Sequence, residues 1–173
     1  RGWAISWLPD GIPAPIIQAM RIIRHIHHVS DELRGGAVAV GNFDGLHRGH
    51  QALIQQCRAM ADAVTGPALA LTFEPHPRSL VQADAPPFRL TPFRSKARLL
   101  AKLGVDCLAS LRFDLDVSQQ PAEDFIQDIL VRGLRARHVV VGYDFVFGHH
   151  RTGNGAMLRE FGARHGFEVS VLE

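Results

Sequence analysis

Only two cysteines, Cys57 and Cys107, occur in 173 residues. Both fall inside stretches that pattern as a helix and a strand, so neither a disulfide framework nor a Cys-rich metal site is expected, and the chain fits a reducing cytoplasm. No apolar run approaches the roughly 18 residues of a spanning helix, so no membrane segment is expected. Lysine and arginine form no run, and the net charge is only +2 with ten histidines, so no nucleic-acid partner is implied. Internal repeats and low-complexity tracts are lacking. So are the two commonest phosphate loops, G-x-G-x-x-G and the Gly-Lys-Ser/Thr of a Walker loop.

What remains is ordinary for a soluble globular chain, 46% hydrophobic and 21% charged, and long enough for one domain with a real core. Residues 1–19, with Trp3, Trp7 and three prolines, show neither a clean period nor the layout of a signal peptide. They are expected to form an irregular N-terminal extension, with the domain proper over 20–173. From Met20 a basic lead-in suggests an edge strand. Five short apolar runs then read as buried strands: Ala37–Val40, Ala68–Phe73, Val105–Phe113, His138–Val141 and Phe167–Leu172.

Amphipathic helices are predicted between these runs. One opens at His50 with Leu53, Ile54, Cys57, Met60, Ala61 and Val64 on one face. One starts at Thr91-Pro92 and buries Leu99, Leu100 and Leu103. One follows Pro121 with Phe125, Ile126, Ile129 and Leu130 inward, and a last runs from about Asn154 to Gly166. Alternating strands and helices give an α/β fold: a five-stranded parallel, Rossmann-like sheet with helices on both faces. Its site belongs beyond the strands' carboxyl ends.

Those ends carry the polar chemistry. Val40 runs into G-N-F-D-G-L-H-R-G-H, residues 41–50, with glycines at 41, 45 and 49. A strand entering a helix through such a loop aims backbone N–H groups and the positive end of the helix dipole at one spot, which suits phosphate. His47 and His50 add two side-chain donors there. An i,i+3 histidine pair can ligate metal, but no third ligand stands at a diagnostic spacing. Capping or packing alone is the plainer use of the pair.

The ten-residue loop resembles the signature of the H-x-G-H nucleotidyltransferases. In that superfamily the two histidines hold the nucleotide's phosphates and stabilise the transition state at the α-phosphorus. Three further stretches narrow the resemblance: T-F-E-P-H-P at 72–77, L-T-P-F-R-S-K-A-R-L-L-A-K-L-G-V-D at 90–106, and V-V-V-G-Y-D-F-V-F-G with R-T-G across 139–153. Together they resemble the N-terminal FMN adenylyltransferase module of bacterial FAD synthetases, the bifunctional riboflavin kinase/FMN adenylyltransferases. The resemblance implies adenylyl transfer from ATP to FMN with Mg²⁺, giving FAD and pyrophosphate, and a riboflavin kinase domain C-terminal to the module.

By the same resemblance His47 and His50 are catalytic. Gly41, Asn42, Phe43, Asp44, Gly49, Asp144 and Arg151 touch nucleotide, while Phe73, Pro75, His76, Arg78 and Phe145 touch FMN. Arg89 and Arg94 are further candidates for the FMN phosphate, and protein side chains supply no dedicated metal cage. Plainer roles stand beside these. Asn42 and Asp44 suit an ordinary turn, Phe43 suits the core, and the 73–77 stretch suits a rigid strand exit. The arginines suit a solvated surface, and Asp144 suits a turn cap. Phe145 and Phe147 alternate, so one is expected in the core and the other beside ligand.

Some features depart from the family pattern. Val146 and His149-His150 stand where basic residues are more usual, and Asn154 replaces a commoner acid. The family also continues past the fifth strand into a Ser/Thr-rich motif ending in Arg, and this chain stops at Glu173. The expectation is therefore a module shortened at its C-terminal end and weakly active alone. A sibling transferase using another phosphorylated acceptor, or a nucleotide- or flavin-binding fragment with little turnover, are the alternatives.

Overall fold

β-Branched residues and alanines dominate the runs that the computed structural model, which describes residues 20–75 and 90–173, folds into its main sheet. The expected extension over 1–19, and the part of the Pro-rich loop over 82–89, lie outside the described residues. The strands are β1 (Arg21–Ile23), β2 (Ala37–Val40), β3 (Ala68–Glu74), β4 (Cys107–Arg112), β5 (His138–Gly142) and β8 (Glu168–Leu172). A separate two-stranded hairpin pairs β6 (Val146–Phe147) with β7 (Gly153–Asn154).

The main sheet is parallel throughout, in the order β1-β4-β3-β2-β5-β8. It has six strands where five were expected. The sixth is the lead-in: β1 pairs with β4 at the sheet edge, Arg21 opposite Cys107. With three residues, two of them exposed, it is the edge strand that the lead-in suggested, counted apart from the five buried runs.

Period-2 alternation sorts side chains onto two cores. Ala37, Ala39, Ala68, Ala70 and Val140 face one side, under α1 (Arg48–Ala63) and α2 (Phe93–Lys102). Val38, Val40, Leu69, Leu71, Val139 and Val141 face the other. That side is covered by α4 (Ala122–Phe125), which continues as a π-helical stretch Ile126–Gly133, and by α5 (Gly155–His165). The four alanines let α1 sit close to the sheet and bury Leu53, Ile54, Cys57 and Ala61, with about 1.5–3 kcal/mol from each large apolar side chain. Helices therefore cover both faces, as expected.

The buried face of α2 differs from expectation. Leu100 is buried and Leu103 partly so, but Leu99 is 41% exposed and Lys96 is buried instead. An ion pair on the Lys96 side rotates the helix, as described below.

Strand order reverses at β2: β3 lies on one flank and β5 on the other. The connections leaving β2 and β5 diverge there, which opens a crevice at the carboxyl end of the sheet.

Candidate active site

The chain turns sharply where β2 gives way to α1. Phe43, Gly45 and Leu46 all have positive φ, at 51°, 73° and 38°. Two of these are bulky residues in a conformation that normally favours glycine, and both are buried. His47 caps α1, and its Nδ1 accepts the His50 backbone N–H at 3.4 Å. The two imidazoles stack with centroids 3.8 Å apart. Gly49 makes this possible, since a Cβ there would lie 3.2 Å from the His47 ring.

Ring tautomers follow from these contacts. An accepting Nδ1 on His47 leaves its proton on Nε2. His50 Nδ1 is buried with no hydrogen-bond partner. A buried orphan N–H is rarer and costlier than an under-used acceptor, so the His50 proton also belongs on Nε2. Charging His50 would strand a donor on that nitrogen. Burial first, and then the neighbouring His47, push the His50 pKa down to about 4 against the opposing pull of Asp44 and Asp144. At neutral pH His50 is an uncharged donor.

This has a measurable consequence. The folded value lies below the usual 6.5, so the unfolded chain takes up the proton first as pH falls. Stability present above pH 6.5 is lost between 6.5 and about 4. The gap would be worth ~3 kcal/mol for a dehydrated ring, and partial hydration reduces it to about 1–2 kcal/mol. Urea unfolding at several pH values should show this slope, and His50→Gln should flatten it.

The histidines line a cleft of about 1030 Å³ with Gly41, Asn42 and Gly49 on the same wall. The opposite wall comes from the β5 exit and the β6–β7 hairpin: Tyr143, Asp144, Phe145, His150 and Arg151. His150 and Arg151 form the hairpin's tip in left-handed conformation, φ 54° and 58°. Between the walls Phe73, Phe113, Phe125 and Phe147 form an aromatic floor. Phe73 meets Phe113 edge-on at 5.7 Å, and Phe145 stacks on Phe147 at 5.3 Å. Phe147 is buried and Phe145 half-buried, as their alternation predicts.

Four residues expected at ligand are not among those lining the cleft. Phe43 is fully buried and packs edge-on against His50 at 5.5 Å, so it backs the imidazole instead of facing the cleft. Asp44 accepts the N–H groups of Leu90 and Thr91 at 3.0 and 2.9 Å. It ties the loop to the approach to α2, as a turn-former does. Pro75 is exposed at the end of β3, off the described cleft wall. Arg94 is an exposed α2 residue away from that wall. His76, Arg78 and Arg89 lie outside the described residues.

A short helix not expected from the sequence, α3 (Leu115–Gln119), brings Val117 and Ser118 beside Gln120 in lining the cleft. Its one local signal is Asp114, which caps the helix by accepting the Val117 N–H at 3.0 Å.

Residues 29–173 match the family model described as FAD synthetase. The chain belongs to the FAD synthetase family. It is 41% identical over 155 residues to the bifunctional riboflavin kinase/FMN adenylyltransferase of Escherichia coli (strain K12), covering 89% of this chain and 50% of that protein. The protein of the same name from Haemophilus influenzae is 39% identical over 150 residues, covering 87% and 49%. This chain thus spans about half the length of the curated relatives it matches. Among solved structures, a Streptococcus pneumoniae protein titled as macrolide-efflux protein superposes with a TM-score of 0.74 at 22% identity, covering 88% of this chain and 50% of that one. That likeness bears on the fold alone.

Among the described residues there is no group of three or more His, Cys, Asp or Glu side chains that could hold a metal ion. Mg²⁺ commonly arrives on nucleotide phosphates with one or two protein carboxylates, and Asp144 is a carboxylate on the cleft wall. Among the described residues no helix is long and apolar enough to cross a membrane.

Proposed function

We propose that this chain is an FMN adenylyltransferase unit, joining the adenylyl group of ATP to the phosphate of FMN to give FAD and pyrophosphate. The supporting observation is the stacked His47–His50 pair at the start of α1, facing an aromatic floor across one cleft. An FMN phosphate oxygen attacks the α-phosphorus, the bond to the bridging oxygen of pyrophosphate breaks, and pyrophosphate leaves with that electron pair. Such a step needs alignment and donors placed where charge builds up, not a protein nucleophile.

The Nε2–H groups of His47 and His50 supply two donors, and the first-turn N–H groups of α1 add to them. Arg151 closes the phosphate site from the hairpin. Asp144 takes the ribose or a phosphate-borne Mg²⁺. Magnesium supplies charge neutralisation on the triphosphate when bound. The phenylalanine floor, with Phe73 and Phe145 at its edge, receives the flavin. The enzyme works in the cytoplasm, in keeping with two buried free thiols. A riboflavin kinase domain accompanies it in the parent protein, as in the relatives' name.

The test is incubation of the 173-residue chain with ATP, Mg²⁺ and FMN, reading FAD and pyrophosphate. FAD is the expected product. Pyrophosphate release with phosphopantetheine or nicotinate mononucleotide but not FMN would assign another acceptor. Nucleotide binding without turnover would make the chain a binding fragment.

A further inference from the structure

Lys96 is a buried lysine that does not line the cleft. Its side chain is 5% exposed, and its Nζ donates to the Asn42 carbonyl at 3.0 Å and to Glu74 Oε1 at 2.9 Å. The partners stand 54 and 22 residues away in sequence. An apolar residue of similar length could fill the same space without burying an ammonium, and a buried ion pair is weak grounds for stability. What this pair fixes is the carbonyl immediately before the left-handed turn at Phe43, Gly45 and Leu46.

Backbone in that conformation persists only where its surroundings over-determine it. Here the stretch 90–96 supplies most of the restraint. Lys96 holds Asn42 from behind, Leu90 and Thr91 hold Asp44, and Thr91 Oγ1 accepts the Gly45 N–H at 2.9 Å. Thr72 Oγ1 adds a second donor to the Asn42 carbonyl at 3.2 Å. The positive charge of Lys96 also weighs against protonation of His50.

We propose that Lys96 is a positioning residue for adenylyl transfer: paired with Glu74, it locks the Asn42 carbonyl and thereby the turn that presents His47 and His50 to phosphate. The proposal rests on the adenylyltransferase reading for its kinetic effect, but its geometric content can be read separately.

The test compares wild type, Lys96→Met and the double variant Lys96→Met/Glu74→Gln. The single variant leaves Glu74 without its ammonium and is expected to lose stability. The double variant removes the buried charge and is expected to recover most of it. Turnover should not follow stability. In both variants kcat for FAD formation should fall by about 10²-fold, the scale of a misplaced reacting group, with KM for ATP changing much less.

The second readout is the ¹⁵N signal of the His47 and His50 rings on adding ATP with Mg²⁺. In the wild type both Nε2 signals should shift, and in the double variant the shifts should shrink. A double variant that regains stability, kcat and full ring shifts together would reduce Lys96 to a packing element and overturn the proposal. If the wild-type chain makes no FAD, the adenylyltransferase reading fails, and the ring shifts still decide whether Lys96 sets the histidine geometry.

Discussion

Alanine at both His47 and His50 is expected to lower FAD formation by at least ~10³-fold while leaving the fold in place. Removing a single preorganised donor from a developing oxyanion costs about 3–4 kcal/mol, or 10²–10³ in rate. The two rings stack at 3.8 Å and in the proposed reaction share one phosphate chain, so their losses should not simply add. Stability should change little, because the His47 cap is long at 3.4 Å and losing an N-cap costs only ~1 kcal/mol. His50 is half-buried, and Phe43 beneath it keeps its other contacts in the core.

Single-turnover pyrophosphate release, alongside a thermal melt, separates the two effects. His50→Gln, which retains an N–H donor, should lose less rate than His50→Ala. Unchanged turnover in the double alanine variant, with the melt intact, would mean that the imidazoles are no more than a helix cap.

Local pattern made the central strands and the histidine loop legible. Ala37–Val40 and His138–Val141 are short apolar runs feeding polar loops, and the rule that ligands sit at the carboxyl ends of parallel strands joins those loops. What local pattern missed depends on partners distant in sequence. The α2 pattern favours Leu99 inward because leucine outranks lysine in hydrophobicity. Glu74 and the Asn42 carbonyl reverse that choice from another part of the chain.

Asp44 is the same kind of case. Asn-Phe-Asp-Gly reads as a turn, and nothing within it tells that its carboxylate accepts two N–H groups 46 and 47 residues away. Phe43 was ambiguous because a bulky residue at φ 51° is held by burial, which sequence spacing does not reveal. The five-residue α3 was lost for want of a full period.

Alanine at Gly148 should open the far wall of the cleft without touching the histidines. Gly148 has φ 74°, and a Cβ there would stand 2.5 Å from the Ala122 Cα and 2.6 Å from its N and Cβ. Ala122 is buried at the start of α4, so it has no room to move away. An alanine at φ 74° and ψ 171°, a region essentially confined to glycine, costs about 1–3 kcal/mol, and the overlap adds about 1–3 kcal/mol as in other overpacked sites. The strain falls on the hairpin, which docks through the His149 N–H to the Gln120 carbonyl at 2.8 Å and His149 Nδ1 to the Ser118 carbonyl at 3.3 Å. On its other face the main sheet packs against α1 and α2 in a cluster that contains neither Ala122 nor the hairpin, so the sheet should survive.

Hydrogen exchange should therefore quicken over 146–154 well before it does over β2 and β3. Kinetically the change should mirror the histidine variants. KM for ATP should rise as Arg151 and Asp144 lose their seats, while the rate at saturation falls less, because the donors at the head of α1 remain. A Gly148→Ala protein with unaltered exchange and unaltered ATP affinity would show that the hairpin is not a wall of the nucleotide site.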